Sequence, residues 1–211
     1  SDVATLLLPQ GISNIVRNFA DSSIGCVSSV DRFIDQDGKI SGEGIYVRYE
    51  MLLRNFETRV NSLVGLSGSF FAVRRELCAD WDIHLPSDFN ILLKTVQSGL
   101  RGVSDPESVG CYRSILDEKK EYQRKVRTVL RGMTALTSNL SLLNPFKYGL
   151  FSWQLFSHKL CRWLVPFAML SALVSNAWLA SVSRFYGVLL FLQLLLYGLV
   201  LVALVTGLPP R

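Results

Sequence analysis

The sequence predicts an α/β layered domain followed by two membrane-spanning helices. Strand-like runs alternate with helix-like runs up to about residue 160, the pattern of a sheet covered by helices. Two uncharged apolar runs follow, Trp163–Ala180 and Phe185–Leu208. Each approaches or exceeds the ~20 residues that a helix needs to cross a hydrocarbon core of about 30 Å. Lys147, Lys159 and Arg162 precede the first run, and Arg184 is the one charge between the runs. Lysine and arginine are retained on the cytoplasmic side. The domain is therefore expected in the cytoplasm, at the inner (plasma) membrane of the cell, with the Ser181–Arg184 loop outside. The alternative, a long buried helical hairpin in a soluble protein, seldom carries two consecutive runs free of charge. Both runs lie at the C-terminal end, so neither is a signal peptide.

The elements follow in order. Pro9 to Asp21 reads as an amphipathic helix, with Ile12, Ile15, Val16 and Phe19 at helical spacing. Ile24 to Ile34 is rich in β-branched and apolar residues and reads as a strand closed by a turn at Asp35-Gln36-Asp37-Gly38. Ile45 to Val60 is a long helix with Tyr46, Tyr49, Leu53 and Phe56 on one stripe. Leu63 to Val73 is a strand whose Gly65, Ser67 and Gly68 suit either a ligand close to the backbone or tight packing on a helix. A loop from Cys78 to Pro86 leads to a helix from Ser87 to Gln97, with Ser87 as N-cap, Asp88 in the first turn and Gly99 as stop. Leu100–Ser104 and Ser108–Tyr112 read as two short strands around Asp105-Pro106. Asp117 to Thr137 is a charged helix. Asn144 to Leu160 is an amphipathic helix carrying Phe146, Tyr148, Phe151, Trp153 and Phe156, suited to the membrane interface. These strands are too few for a complete doubly wound sheet, so further sheet is expected upstream of residue 1.

The 211 residues carry a net charge of +5, concentrated between Lys119 and Arg162. Beside apolar spans, anionic headgroups or a phosphate-bearing substrate suit that charge better than nucleic acid does. The four cysteines are far apart and form no CxxC pair, which argues against structural zinc or a disulfide framework. His84 and His158 are isolated and read as surface or interfacial histidines.

Four clusters can carry chemistry. Asp2 can hold a divalent metal or a ribose hydroxyl, or simply cap a strand. Gly65-Leu66-Ser67-Gly68-Ser69, followed by Arg74-Arg75, can bring a bulky substrate to backbone donors, or can be a tightly packed strand. Asp88 can take a proton from a hydroxyl nucleophile, or serve the helix dipole. Arg124 and Arg127 share a helical face and suit a diphosphate, while Glu118 and Glu121 offer them carboxylate partners and anionic lipid offers them headgroups.

The order of the clusters adds what each lacks alone. Ser1-Asp2-x-x-Thr5 is followed by Tyr46-Val47-Arg48-Tyr49-Glu50, Glu57 and the Gly65–Arg75 segment. Then come Asp88-Phe89, Gly99-Leu100-Arg101, Asp105-Pro106-Glu107, Arg124-Lys125-Val126-Arg127 and Ser157-His158-Lys159-Leu160-Cys161-Arg162-Trp163-Leu164-Val165-Pro166. Over essentially the whole chain this series resembles the membrane-bound family-2 glycosyltransferases, the processive-synthase-like branch related to cellulose and hyaluronan synthases. The resemblance implies the C-terminal part of a GT-A domain (1–140), an interfacial amphipathic helix (141–162) and two transmembrane helices (163–211). It implies inverting transfer from a nucleotide-diphosphate sugar to a glycan or lipid-linked acceptor, in polysaccharide biosynthesis. Asp2 then matches the first acid of the Asp-x-Asp motif, contacting the donor and a Mg or Mn ion. Asp88 matches the catalytic base. Ser67, Gly68 and Ser69 match the sugar and acceptor site, and Arg124 and Arg127 match the arginine motif that holds the diphosphate. Three positions depart from the pattern. Ala4 replaces the second acid or amide, Ser87 replaces an acid ahead of the base, and Thr128 replaces a tryptophan. These departures put metal dependence in question, and Ala4 and Ser87 also suit an inactive relative serving as scaffold or partner subunit in a glycan-assembly complex. A third class is a peripheral lipid-binding or transport-accessory protein, with Arg124 and Arg127 touching only headgroups.

Overall fold

The computed structural model describes residues 3–34, 45–79, 82–113 and 118–206. The chain forms two compact units, Ser1–Lys159 and Leu160–Arg211. The elements of the first unit are β1 (Leu6–Leu7), α1 (Gly11–Arg17), β2 (Ile24–Ile34), α2 (Ile45–Val60), β3 (Phe71–Val73), α3 (Ser87–Gln97), β4 (Arg101–Arg113), α4 (Glu118–Thr137), α5 (Pro145–Tyr148) and α6 (Leu150–Leu155). The second unit holds α7 (Cys161–Leu179) and α8 (Arg184–Thr206).

The sheet has the order β1-β4-β2-β3. Its central pair, β2 and β4, is parallel, and each edge strand is antiparallel to its neighbour. Alternation along β2 sends side chains to two faces. Val27 joins Ile15 of α1, Ile24, Phe70 and Val103 in one core cluster. Cys26 joins Ile91 and Leu92 of α3 with Leu63 and Leu66 in another. Helix α3 comes close because β2 has a glycine beneath it. A Cβ on Gly25 would lie 2.6 Å from the Thr95 methyl and 3.0 Å from Leu100 Cβ.

The strand Ile24–Ile34 and the helices Ile45–Val60 and Ser87–Gln97 have the bounds that periodicity predicts. Helix α3 ends as expected at Gly99, whose φ is +75°. Gly99 N–H donates to the Val96 carbonyl and Leu100 N–H to the Thr95 carbonyl, the paired bonds of a Schellman motif. Its start differs from expectation. Pro86 is the N-cap residue, and Ser87 is the first helical residue.

Other expectations are corrected. The first helix stops at Arg17 and tightens to a 3₁₀ turn, Asn18–Ala20, because the Asn18 side chain bonds back to the Asn14 and Ile15 carbonyls. Most of Leu63–Val73 is not strand; only Phe71–Val73 pairs. The two short strands around Asp105-Pro106 are one strand, β4. Between the pairs Ser28↔Ser104 and Val30↔Val109, β4 advances further than β2, so Pro106 sits in a bulge where no ladder bond is required of it. Asn144–Leu160 is not one helix. It breaks at Gly149, where φ is +55°, then runs through α6 into a π-helical turn, Phe156–Leu160. Phe151 is buried within it, whereas Phe146, Trp153 and Phe156 are exposed. The turn expected at Asp35–Gly38 lies outside the described residues.

Helices α7 and α8 are long and apolar enough to cross a membrane. No residue of α7 is buried, and large apolar side chains face outward along both helices. One polar cluster joins them. Asn176 Nδ2 donates to Gln193 Oε1 at 3.0 Å, and Gln193 Nε2 donates to Tyr197 Oη at 2.8 Å and to the Met169 carbonyl at 3.1 Å.

The close approach at Gly25 gives a direct test. Gly25→Ala should destabilise the protein by about 1–3 kcal/mol through overpacking. The loss reads as a lower denaturant midpoint at unchanged slope in the solubilised chain. An unchanged midpoint would show that Thr95 and Leu100 move aside.

Candidate active site

The segment between Ser62 and Phe70 explains why the site is a loop. Side chains replace the sheet ladder as partners for its backbone. Val64 N–H donates to Glu57 Oε2 at 3.2 Å, and Ser67 N–H donates to Ser28 Oγ at 2.7 Å. Ser69 N–H donates to Ser67 Oγ at 3.2 Å. Ser29 Oγ, on β2, donates to the Phe70 carbonyl at 2.7 Å. Buried backbone groups need such partners, and satisfying them this way frees the chain from a flat strand.

Ser67, Gly68 and Ser69 stand between two carboxylates. The hydroxyls of Ser67 and Ser69 both donate to Asp31 Oδ1 and lie 2.7 Å from each other. Gly68 faces Asp88, since a Cβ there would lie 3.5 Å from Asp88 Oδ2. Asp88 is half-buried in the first turn of α3. No hydrogen bond or ion pair joins its carboxylate to another described residue. The N-terminal segment reaches the same place. Asp31 pairs with Gly110 across the sheet, and the Cβ position of Gly110 is 3.2 Å from the Thr5 methyl and 3.4 Å from Ser69 Oγ. Thr5 Oγ1 is buried without a partner there. Asp2, three residues earlier, lies outside the described residues.

Arg124 and Arg127 are on α4, on the face continued by Arg131. Arg131 reports where its part of that face turns. Its guanidinium donates to the Leu85 carbonyl at 2.8 Å, the Ile83 carbonyl at 3.3 Å and the His84 carbonyl at 3.4 Å. These three residues lead into Pro86, Ser87 and Asp88. So Arg131 joins the arginine helix to the loop ahead of Asp88.

Three groups were not legible as site residues. Asp31 is the one acid in the strand Ile24–Ile34, and that was the available signal. Arg131 is one turn beyond Arg127 on the same face. His158, expected at a surface or interface, is instead largely buried. Its Nδ1 hydrogen-bonds Glu57 Oε1, and its Nε2 lies 3.6 Å from Glu50 Oε2. Beside it, Lys159 Nζ lies 5.3 Å from the centre of the Phe89 ring and 3.1 Å from the Cβ position of Gly65. Among the cysteines, burial pushes the Cys26 thiol up to about 12, outweighing its hydrogen bond with Thr95, so it is an inert core group.

For a metal, the described residues offer little. No group of three or more His, Cys, Asp or Glu side chains among them is placed to hold a metal ion, and Ala4 supplies no ligand.

No protein-family model and no curated protein matches the sequence. Among solved structures, the fold is similar to that of the mannosyltransferase PcManGT from Pyrobaculum calidifontis, solved in complex with GDP-Man and Mn2+. The two share 17% identity with a TM-score of 0.58, over 90% of this chain and 56% of that one. At that identity the likeness shows a shared glycosyltransferase-like fold, with this chain spanning a little over half of its neighbour.

The Asp31 bonds carry a prediction. A charged acceptor holds hydroxyls more strongly than a neutral amide does. Asp31→Asn should therefore cost about 1 kcal/mol and raise amide hydrogen exchange across 67–69 above that of β2. Unchanged exchange in the loop would remove Asp31 as its anchor.

Proposed function

We propose that this chain is the acceptor-side part of an inverting glycosyltransferase of the membrane-bound family-2, processive-synthase-like kind. The reading places it at the cytoplasmic face of the inner (plasma) membrane, transferring sugar from a nucleotide-diphosphate donor to a glycan or lipid-linked acceptor in polysaccharide biosynthesis. One observation carries it. A carboxylate without a partner among the described residues, Asp88, faces a serine-lined loop, in a fold shared with a nucleotide-sugar transferase.

The chemistry follows from those groups. An acceptor hydroxyl beside Gly68 gives its proton to the Asp88 carboxylate. Its oxygen bonds to the anomeric carbon from the face opposite the leaving group. The carbon–oxygen bond to the diphosphate breaks, the electron pair leaves with the nucleoside diphosphate, and the anomeric centre inverts. Ser67 and Ser69, held by Asp31, border the sugar. Arg124 and Arg127, with Asp2 from the N-terminal segment, contact the donor; the two guanidinium groups meet the negative charge as it develops on the diphosphate. The outward apolar surfaces of α7 and α8 suit lipid, which also brings a lipid-linked acceptor to the site.

The base is tested with the full-length enzyme in sealed inverted membrane vesicles, with GDP-mannose and UDP-glucose as donors and an alkyl glucoside as acceptor. Asp88→Asn should lower transfer at least a hundredfold, the scale of general-base loss, with donor binding by equilibrium dialysis unchanged. Right-side-out vesicles should use no added donor. Normal turnover by the variant would remove Asp88 from the role, and donor use by right-side-out vesicles would overturn the orientation.

Arginine and lysine share a charge but not a fork of donors. If Arg127 holds a diphosphate, Arg127→Lys should cut transfer at least tenfold and leave binding to anionic vesicles unaltered. An unchanged rate with weaker vesicle binding would assign the helix to lipid instead.

A further inference from the structure

The buried acid–base pair of Glu57 and His158 has no part in that chemistry, yet it touches the loop that borders it. Glu57 lies on α2 with its side chain 5% exposed, and His158 lies in the π-helical turn with its side chain 9% exposed. The two oxygens of Glu57 divide their work. Oε1 bonds His158 Nδ1, and Oε2 accepts the N–H of Val64, the residue directly ahead of Gly65. Gln154, one turn before His158, donates to the Glu57 carbonyl at 3.3 Å. Lys159, next to His158, reaches Gly65 and the ring of Phe89, the residue after Asp88. Residues 154, 158 and 159 thus grip α2, the start of the serine loop and the start of α3. The extra residue of a π turn lets the neighbours His158 and Lys159 both face inward. Separating one partner of a buried charged pair is costly, so the contact is held firmly.

We propose that Glu57 and His158 form a strut through which the segment leading into the first apolar helix sets the position of the acceptor loop. They are positioning residues, and their role in transfer rests on the reading of the site given above. Lys159 follows and ends the first unit, so the strut lies just before the apolar helices begin in sequence. Glu50 and Lys159 are the other charged groups that face the imidazole.

The test uses the full-length enzyme in membranes and two variants. His158→Gln removes the imidazole. The double variant Glu57→Gln/His158→Gln also removes the carboxylate left without its partner, so that a failure to fold does not hide the result. In both, amide hydrogen exchange over 64–69 should rise at least tenfold, while β2 and α3 change less than twofold. With GDP-mannose and an alkyl glucoside, the KM for the glucoside should rise at least fivefold at unchanged KM for GDP-mannose. Exchange that stays the same over 64–69, or rises equally throughout the unit, would overturn the strut. If the unmodified enzyme transfers no sugar from either donor, the enzymatic reading falls, and the exchange pattern alone decides the strut.

Discussion

The parallel pairing of β2 with β4 is the constraint from which the rest of the first unit follows. A parallel pair is buried on both faces and needs cover on each. Ile15 of α1 supplies it on one side and Leu92 of α3 on the other. The fit on the α3 side depends on missing side chains at Gly25 and Gly102, where Thr95 and Leu92 occupy the space. The same register sets Asp31 opposite Gly110. Because Gly110 has no side chain, Thr5 and Ser69 both come to that point, and the N-terminal segment meets the serine loop there.

Three acidic or thiol groups on this frame have been given different characters by their partners. Asp31 is occupied by two hydroxyls and acts as an anchor. Asp88, facing Gly68 of the same loop, has no hydrogen-bond or ion-pair partner among the described residues. Cys26 is sealed between sheet and helix and holds its proton. A half-buried carboxylate without a partner among the described residues is a candidate for proton transfer, whereas a satisfied one is a candidate for architecture. The unit keeps both kinds within one loop's reach.

Periodicity revealed elements that bury one side of a regular backbone. Ile24–Ile34, Ile45–Val60 and Ser87–Gln97 are of this kind, and their bounds were legible from residue type alone. It failed where side chains take over the backbone's hydrogen bonds. Residues 63–70 have the apolar content of a strand, but Glu57, Ser28 and Ser67 accept their N–H groups, and no hydrophobic pattern announces side-chain partners of this kind. Asp105-Pro106 looked like a break because proline rarely sits inside a ladder, and the bulge that accommodates it is a property of the pair. Within the site, the serines and Asp88 stood out through their order along the chain. Asp31 and His158 were hidden because each owes its meaning to a neighbour some forty or a hundred residues away. The diphosphate role proposed for Arg124 and Arg127 drew on their shared helical face and on the resemblance.

The π turn at Phe156–Leu160 is longer by one residue than the α-helical turn it replaces. A helix of this kind can lose a residue and remain a helix. Removing one here would restore ordinary α-helical winding, and the change would be absorbed within that turn. A relative with an ordinary turn at this point would therefore align with a single-residue gap inside an otherwise uninterrupted helix. A gap placed elsewhere would set His158 against its neighbour's lysine column, and a histidine facing two acids would pass for a variable surface position.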